Sequence, residues 1–208
     1  MSAVPRATDF APLPRRFFAR GAVAVARDLM GRVLVHQTRA GLCAGIIVEA
    51  EAYDESDPAS HCYNGPTARN RTMYGPPGHL YVYRSYGVHW CCNVVTGGAG
   101  VGAAVLLRAV EPIAGLPIMQ RRRFDGADGP LRDLARGPGR LCAAMGITRD
   151  HDGVDTTEPP LWIGRTPGRF SRPTLRTTPR IGISKAVSRP WRFCVAGSPF
   201  VSGPKRLR

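Results

Sequence analysis

Residues 79–110 carry the sequence HLYVYRSYGVHWCCNVVTGGAGVGAAVLLRAV, which is the part of the chain with the most strand-forming residues. It contains three short runs of apolar, aromatic and β-branched residues, separated by glycine-containing breaks at 85–87 and 97–102. Runs of this kind with turn residues between them are typical of β-strands joined by short connections. The stretch therefore predicts three strands, over residues 79–84, 88–96 and 103–110.

Outward from this stretch, the pattern predicts more short strands and a few short helices. The further strand candidates are residues 32–37, 42–51, 180–184 and 192–195. The helix candidates are residues 22–30, 113–123, 131–135 and 140–144. The two long loops are residues 54–78 and 165–180. Because short strands dominate and regular β-α-β alternation is missing, we predict an α+β fold: a single domain with a curved, largely antiparallel β-sheet flanked by helices.

The charge balance predicts a polyanionic partner. The chain of 208 residues has 29 Lys and Arg against 15 Asp and Glu, which gives a formal net charge of +14. DNA, RNA and an anionic membrane surface are the partners that such an excess favours. A genome-wide preference for arginine would explain why only Lys185 and Lys205 are lysines, but it would not explain the excess of cations over anions.

A membrane partner is the weakest of these three. No amphipathic basic helix stands out, and no apolar run approaches the roughly 18 residues that span a bilayer. The first 14 residues lack the apolar segment of a secretory signal. We therefore expect a cytoplasmic protein, associated with the nucleoid if the source is bacterial.

The cysteines predict neither a disulfide framework nor a metal site. The six cysteines include no C-x-x-C pair, and two of them, Cys91 and Cys92, are adjacent. The motifs of zinc-dependent nucleobase deaminases are also missing. We expect six reduced, mostly buried thiols, no metal and no cofactor.

One predicted strand places two carboxylates and a phenol together. In Val48-Glu49-Ala50-Glu51-Ala52-Tyr53, the side chains of Glu49, Glu51 and Tyr53 share one face because side chains alternate along a strand. A solvated sheet face would explain this pattern. The alternative is a carboxylate general base in a pocket with a tyrosine wall.

Three tyrosines lie in the nine residues 79–87. Tyr81 and Tyr83 share a strand face, and Tyr86 lies at a turn beside Gly87, where a large side chain is expected to be exposed. They form either an ordinary hydrophobic cluster or a site on which nucleic-acid bases stack.

Several polar residues near these strands have two interpretations. Arg69 and Arg71 belong either to a solvated loop or to a phosphate contact. Asn93 is either a locally bonded strand residue or a reader of a base edge. Arg108 lies in an apolar run, so it requires an anionic partner such as a strand carboxylate. His61 alone indicates no more than a loop histidine.

Together these residues resemble one family, the alkyladenine (3-methyladenine, methylpurine) DNA glycosylases. The stretches that carry the resemblance are Val48-Glu49-Ala50-Glu51-Ala52-Tyr53, His61, Arg69-Asn70-Arg71, Leu80-Tyr81-Val82-Tyr83, Tyr86-Gly87, Cys92-Asn93, Leu106-Leu107-Arg108-Ala109-Val110-Glu111-Pro112, Gly137-Pro138-Gly139-Arg140-Leu141-Cys142 and Gly197-Ser198-Pro199-Phe200-Val201-Ser202. The resemblance implies a glycosylase-like domain over residues 13–203, a flexible N-terminal segment over 1–12 and a basic tail over 204–208.

The resemblance implies an enzyme that flips damaged purines out of duplex DNA and hydrolyses their N-glycosidic bonds without cutting the strand. The sequence does not give the oligomeric state, and a monomer is the default expectation. In this family an acid at the position of Glu51 activates water. Residues like Arg108 and the backbone carbonyl at Ile181 hold that water. Neither a metal nor a cofactor is expected.

The resemblance also assigns the residues that hold the DNA. Tyr53 and Tyr83 are expected to sandwich the flipped base, His61 to hydrogen-bond it and Asn93 to select among purines. A tyrosine like Tyr86 fills the space that the base leaves. Arg140 stands where some members have lysine, and phosphate contact is expected of it, as of Arg69 and Arg71.

Two other functions fit part of the pattern. A noncatalytic DNA-damage-binding protein would need no carboxylate facing DNA, so Glu51 argues against it. An RNA-binding module could stack bases on Tyr81 and Tyr83, but Tyr86 at a turn suits a duplex better. The sequence does not rank the lesions within a purine pocket.

Overall fold

One long antiparallel sheet dominates the computed structural model, which describes residues 5–127, 129–166 and 171–204. Its strands are β1 Val33–Thr38, β2 Gly41–Tyr53, β3 Leu80–Ser85, β4 His89–Val95, β5 Ala104–Ala114, β6 Leu161–Gly164, β7 Leu175–Thr178 and β8 Arg192–Val195. The helices are α1 Arg15–Phe18, α2 Ala22–Leu29, α3 Leu116–Phe124 and α4 Pro138–Met145. Short 3₁₀ turns lie at Ala7–Asp9, Arg71–Tyr74, Leu131–Asp133 and Arg149–His151.

The strands follow the order β3-β4-β5-β2-β1-β6, and all neighbouring pairs are antiparallel. The strand β2 is long enough to change partners: its first half pairs with β1, and its second half pairs with β8, which in turn pairs with β7. The sheet curls into a half-barrel around this strand, and the helices pack beside it. The predicted α+β class, with one curved antiparallel sheet, is confirmed.

Two bulges alter the pairing of β2 with β5 near its middle. Ile47 pairs with Val110 and Glu49 with Ala109, so Val48 is an extra residue on β2. Ala50 then pairs with Leu107, which leaves Arg108 as the extra residue on β5. Bulges redirect side chains and increase local twist. Here they bring Arg108 to the same sheet face as the carboxylates of β2.

The main core lies on the opposite face of the sheet. There α2 and α4 pack on alternate residues of the central strands. The buried residues of this core include Val25, Leu29, Ile47, Ala50, Val105, Leu107, Leu141 and Met145. All six cysteines are buried and free, as the sequence predicts.

The region 113–123 is not one helix, in contrast to the prediction. β5 continues to Ala114, and α3 begins only after Gly115, whose φ of 76° breaks the strand. A side chain at Gly115 would lie 2.3 Å from the carbonyl oxygen of Leu42. Pro117 then lies in the first turn of α3, where proline is tolerated.

The predicted strand over 180–184 is wrong. Gly182 has a left-handed φ of 76°, and the backbone N–H of Ile181 donates to the Glu51 side chain instead of to the backbone of a neighbouring strand. The strand of this region is β7, inside the predicted loop 165–180, of which residues 167–170 lie outside the described part of the chain. Neither β6 nor the short α1 is predicted by the sequence.

Residues before the predicted boundary at Leu13 contact the body of the protein. Phe10 is buried against Trp162, whose Nε1 donates to the Phe10 carbonyl oxygen at 2.7 Å. Residues 1–4 and 205–208, which include most of the predicted basic tail, lie outside the described residues. Among the helices of the described part, none has the length and apolar character to cross a membrane.

Candidate active site

A cavity of about 440 Å³ opens on the sheet face opposite to the main core. Its walls come from β2 to β5, the loop 54–78, the start of α4 and residues 181–183. The predicted site residues that line it are Tyr53, His61, Arg69, Tyr83, Tyr86, Asn93, Arg108 and Ile181. Arg71 and Arg140 are not part of its lining.

Glu51 lies directly behind the cavity wall, with 0% of its surface exposed. Its Oε2 accepts hydrogen bonds from the Tyr53 hydroxyl at 2.9 Å and from Arg108 Nη1 at 3.1 Å. Its Oε1 accepts one from the Ile181 backbone N–H at 2.9 Å. These three donors suit an ionised carboxylate, which can only accept hydrogen bonds. All three donor residues line the cavity, so the Glu51 carboxylate is one side-chain layer away from any occupant.

Arg108 connects Glu51 to a second buried carboxylate. Its Nε donates to Glu49 Oε1 at 2.9 Å, and Arg192 Nε donates to the same oxygen at 2.8 Å. The backbone N–H of Ser202 donates to Glu49 Oε2 at 2.6 Å. The predicted pairing of Arg108 with a strand carboxylate is therefore confirmed, and the solvated-face interpretation of this strand is wrong.

The charges of this network determine its protonation. Burial raises the pKa of Glu49, but Arg108 and Arg192 outweigh that effect, and the pKa lies below its ordinary value. Burial lowers the pKa of Arg108, but the charges of Glu51 and Glu49 raise it by more, so the pKa lies above its ordinary value and the guanidinium stays charged. Glu49 thus anchors Arg108 through Nε, while Nη1 of the same guanidinium binds Glu51.

Tyr53 is held against Glu51 by its own hydroxyl. Burial raises the pKa of Tyr53, and the adjacent charge of Glu51 raises it further. The phenol is therefore protonated at neutral pH and remains a hydrogen-bond donor. Behind the Tyr53 ring lies the guanidinium of Arg180, whose central carbon is 4.6 Å from the ring centroid.

Aromatic rings form a second wall of the cavity. Tyr81 and Tyr83 stack with centroids 5.5 Å apart and planes 19° from parallel, which confirms their shared strand face. The ring of His61 packs edge-on against Tyr83 at 4.6 Å, and its Nδ1 lies 3.0 Å from the Tyr81 hydroxyl. Asn93 Nδ2 donates to the Tyr81 carbonyl oxygen at 3.2 Å.

This wall is uncharged at neutral pH. Burial raises the pKa of Tyr81 to about 12 and also raises the pKa of Tyr83. The partial burial of the His61 ring and the positive charge of Arg69 lower the pKa of this histidine. This wall therefore offers π-systems and neutral hydrogen-bonding groups to an occupant, beside the guanidinium groups of Arg69 and Arg108 that also line the cavity.

Tyr86 projects from the hairpin between β3 and β4, and 93% of it is exposed. Tyr86 and Gly87 have φ values of 49° and 68°, and the Val88 N–H donates to the Ser85 carbonyl oxygen at 3.0 Å. Two consecutive positive φ angles are those of a type I′ turn. The turn presents a large aromatic side chain to solvent at the mouth of the cavity, as the sequence predicts.

The three predicted phosphate-binding arginines occupy different positions. Arg69 lines the cavity and contacts the Tyr81 side chain. Arg71 is exposed on the 3₁₀ turn Arg71–Tyr74. Arg140 is half exposed in the first turn of α4, with Nη1 3.3 Å from Asp133 Oδ1.

Comparison with known proteins agrees with this geometry. Residues 16–199 match the family model described as methylpurine-DNA glycosylase, which covers most of the chain. The chain belongs to the methylpurine-DNA glycosylase family. The resemblance of the sequence motifs to this family is thereby confirmed.

Several relatives named "Putative 3-methyladenine DNA glycosylase" support the same assignment. The relative from Agrobacterium fabrum is 52% identical over 93% of this chain and 94% of its own length. The relative from Nitrosospira multiformis is 51% identical over 91% of this chain and 93% of its own length. The relative from Methanoculleus marisnigri is 50% identical over 91% of this chain and 98% of its own length.

Sequence reasoning missed two buried charged residues behind the cavity wall. Arg192 is completely buried and shares Glu49 with Arg108, and Asp57 is completely buried against Arg180. The signal for Arg192 is the one that identifies Arg108, namely an arginine within an apolar strand, Trp191-Arg192-Phe193-Cys194-Val195. Asp57 gives no such signal because it lies in a polar loop. Over the described residues, no three His, Cys, Asp or Glu side chains are grouped as metal ligands.

Proposed function

We propose that this protein is a monofunctional DNA-3-methyladenine glycosylase of base-excision repair. It flips an alkylated purine out of duplex DNA into the tyrosine-lined cavity. It then hydrolyses the N-glycosidic bond with a water molecule activated by Glu51 and leaves an abasic site. The observation that carries the proposal is the buried Glu51 carboxylate directly behind an aromatic cavity whose mouth bears an exposed tyrosine. The family and the names of the relatives support it.

Binding of the lesion follows from the chemistry of the cavity. An alkylated purine carries positive charge, and π-rich tyrosine faces attract cations. In the proposal Tyr53 and Tyr83 sandwich the base, His61 hydrogen-bonds it and Asn93 selects among purines. Unstacking a base costs a few kcal/mol, which these contacts and the insertion of Tyr86 offset.

The proposed chemical step needs one carboxylate. The oxygen of water forms a bond to C1′ of the sugar, and its proton passes to Glu51. The electrons of the N-glycosidic bond go to the purine, which leaves as a neutral molecule because its alkylation supplied the positive charge. Arg108 and the Ile181 backbone carbonyl hold the water in this proposal, and the developing oxocarbenium ion is stabilised by the negative charge of Glu51.

Water is the proposed nucleophile because no lysine of the described residues lines the cavity. Lys185 is exposed, and Lys205 lies outside the described residues. A Schiff-base lysine requires burial or a neighbouring cation that favours its neutral form. We also propose that the enzyme acts as a monomer on DNA.

Methylated duplex DNA provides the test of this proposal. The protein is incubated with duplex treated with a methylating agent, the released bases are separated by chromatography, and the strand is analysed before and after alkali. We expect free 3-methyladenine and a strand that breaks only after alkali. Binding without base release would favour a noncatalytic damage-binding protein, and breakage before alkali would contradict the water mechanism.

Replacing Tyr86 by Ala should reduce base flipping more than chemistry. Stacking of a base on an aromatic side chain is worth about 1–3 kcal/mol, so we expect the flipped-to-stacked ratio to fall about 5- to 150-fold. The fluorescence of 2-aminopurine next to the lesion reports this ratio. Val88→Ala is the matched control because Val88 is 63% exposed in the same hairpin. An unchanged flipped fraction in the Tyr86 variant would show that insertion of Tyr86 does not hold the base in its flipped position.

Binding of undamaged duplex should depend strongly on salt. Each neutralised phosphate contributes about −0.9 to the slope of log affinity against log salt concentration, so Arg71→Ala should flatten the slope by about one unit. Arg39 is also exposed but lies in the β1–β2 turn, and Arg39→Ala should keep the full slope. If Arg71→Ala keeps the slope and loses lesion preference instead, Arg71 contacts the base and not the backbone.

A further inference from the structure

We infer that Arg180, held by Asp57, is a positioning residue that orients the Glu51 carboxylate. It packs against the ring of Tyr53 and precedes Ile181 in the chain, and both of these residues donate hydrogen bonds to Glu51. The inference rests on the proposed function, because it assigns this pair a part in presenting Glu51 to the reacting water. Neither Arg180 nor Asp57 is proposed to touch the substrate.

The pair is built as a rigid support. The side chains of Arg180 and Asp57 are both 0% exposed. Arg180 Nη2 donates to Asp57 Oδ1 at 2.9 Å, and its Nη1 contacts Oδ2, so the pairing is bidentate. Nη1 also donates to the Ala52 carbonyl oxygen at 3.0 Å, at the end of the strand that carries Glu51. A buried charge without a partner is costly, so Asp57 keeps the guanidinium in this position.

The guanidinium fixes the plane of the Tyr53 ring. It lies between two aromatic rings, 4.6 Å from the centroid of Tyr53 and 5.4 Å from that of Trp191. The Tyr53 hydroxyl is one of the three donors to Glu51. If Arg180 were lost, the Tyr53 ring could tilt into the vacated volume, and its hydroxyl would leave Oε2.

The same residue fixes the second donor through the backbone. Ile181 follows Arg180 directly in the chain, and its N–H binds Glu51 Oε1 at 2.9 Å. This segment is outside any strand, so no ladder of hydrogen bonds holds it in place. The ion pair to Asp57 therefore anchors the segment at the point from which it reaches Glu51. Two of the three contacts that orient the carboxylate depend on one buried arginine.

A purely structural role is the alternative, since the pair also joins the loop 54–78 to the segment after β7. The two roles predict different measurements. A structural pair changes the fraction of folded protein, whereas a positioning pair changes the rate of each folded, DNA-bound molecule. Misplacement of a reacting group by about 1 Å can cost about 100-fold in rate.

The test uses Asp57→Asn and Arg180→Lys in the full chain. Lysine keeps the charge but loses the bidentate geometry and the planar stack. Single-turnover base release is measured from methylated duplex with enzyme in excess. The concentration of binding-competent enzyme is determined by titration with a duplex that holds an abasic-site analogue. The rate is then expressed per binding-competent molecule, so that unfolded molecules do not lower it. Asp155→Asn is the control, because Asp155 pairs with Arg15 between remote segments away from the cavity.

We expect both variants to lose about 10- to 100-fold in rate per binding-competent molecule, with unchanged affinity for the abasic analogue. The Asp155→Asn control should keep the wild-type rate whatever its melting temperature. Wild-type rates in both Asp57→Asn and Arg180→Lys would overturn the inference. Absence of base release by the wild-type protein would instead contradict the proposed function, so the two failures are distinguishable.

Discussion

The Glu51→Gln protein is expected to lose base release while it still binds lesion-containing duplex. The amide has nearly the same shape as the carboxylate, but it cannot accept a proton and carries no charge for the oxocarbenium ion. Loss of a general base costs a factor of about 10² to 10⁴, and more when electrostatic stabilisation is lost with it. Single-turnover base release and binding of an abasic-site duplex are the two measurements.

The contacts of Glu51 add a further expectation for this variant. Both carboxylate oxygens accept hydrogen bonds, and Oε2 accepts two of them, from Tyr53 and Arg108. In either orientation the amide nitrogen of glutamine would face a donor, Tyr53 and Arg108 on one side or the Ile181 N–H on the other, so we expect a lower melting temperature as well. Glu111→Gln is a suitable control, because Glu111 lies on β5 opposite Ile46 and away from the cavity lining. Excision within a factor of about two of the wild type would remove Glu51 from the mechanism, since general bases contribute far more.

Local sequence pattern was sufficient for the parts of the site that lie on regular strands. Alternation along β2 places Glu49, Glu51 and Tyr53 on one face, and the structure agrees because the bulge after Glu49 puts its extra residue, Arg108, on β5 and not on β2. The same rule pairs Tyr81 with Tyr83 on β3. The Tyr-Gly step predicts an exposed aromatic at the hairpin, because Gly87 readily adopts the positive φ that the turn requires.

The remaining features depend on contacts between distant parts of the chain. The bulges at Val48 and Arg108 arise where two strands fail to match, and neither strand alone reveals them. Asp57 and Arg180 are 123 residues apart, so the polar loop around Asp57 gives no local sign of a buried partner. Residues 180–184 have the composition of a strand, but the Ile181 N–H binds Glu51, and the backbone turns at Gly182.

Replacing Arg108 by Met is expected to cause the largest loss of stability among the variants of this site. Removal of one partner from a buried ion pair leaves the other charge uncompensated, which costs about 3–5 kcal/mol. For a chain of this size each kcal/mol lowers the melting temperature by about 2–4 °C. Glu51 would keep its donors Tyr53 and Ile181, whereas Glu49 would keep Arg192 and Ser202.

The pH dependence of stability should change in the same variant. The pKa of Glu49 lies below its ordinary value of 4.5 in the folded protein, so this residue stabilises the fold above that pH. The contribution is lost as the pH falls through the lower folded-state pKa. Without Arg108, one of the two cations that lower this pKa is gone. We therefore expect acid unfolding of Arg108→Met to begin at a higher pH than in the wild type, as followed by circular dichroism.

A double-mutant cycle separates the unpaired charge from the loss of packing. If Arg108 stabilises the charge of Glu51 more than that of Glu49, Glu51→Gln should cost less stability in the Arg108→Met background than in the wild type. Coupling energies between groups in direct contact are about 0.5–3 kcal/mol, which thermal or denaturant unfolding can resolve. Additive losses would show that Arg108 and Glu51 are independent, in conflict with their 3.1 Å contact. Coupling confined to a cycle with Glu49→Gln would instead make Arg108 a structural partner of Glu49 and remove it from the set that holds the catalytic water.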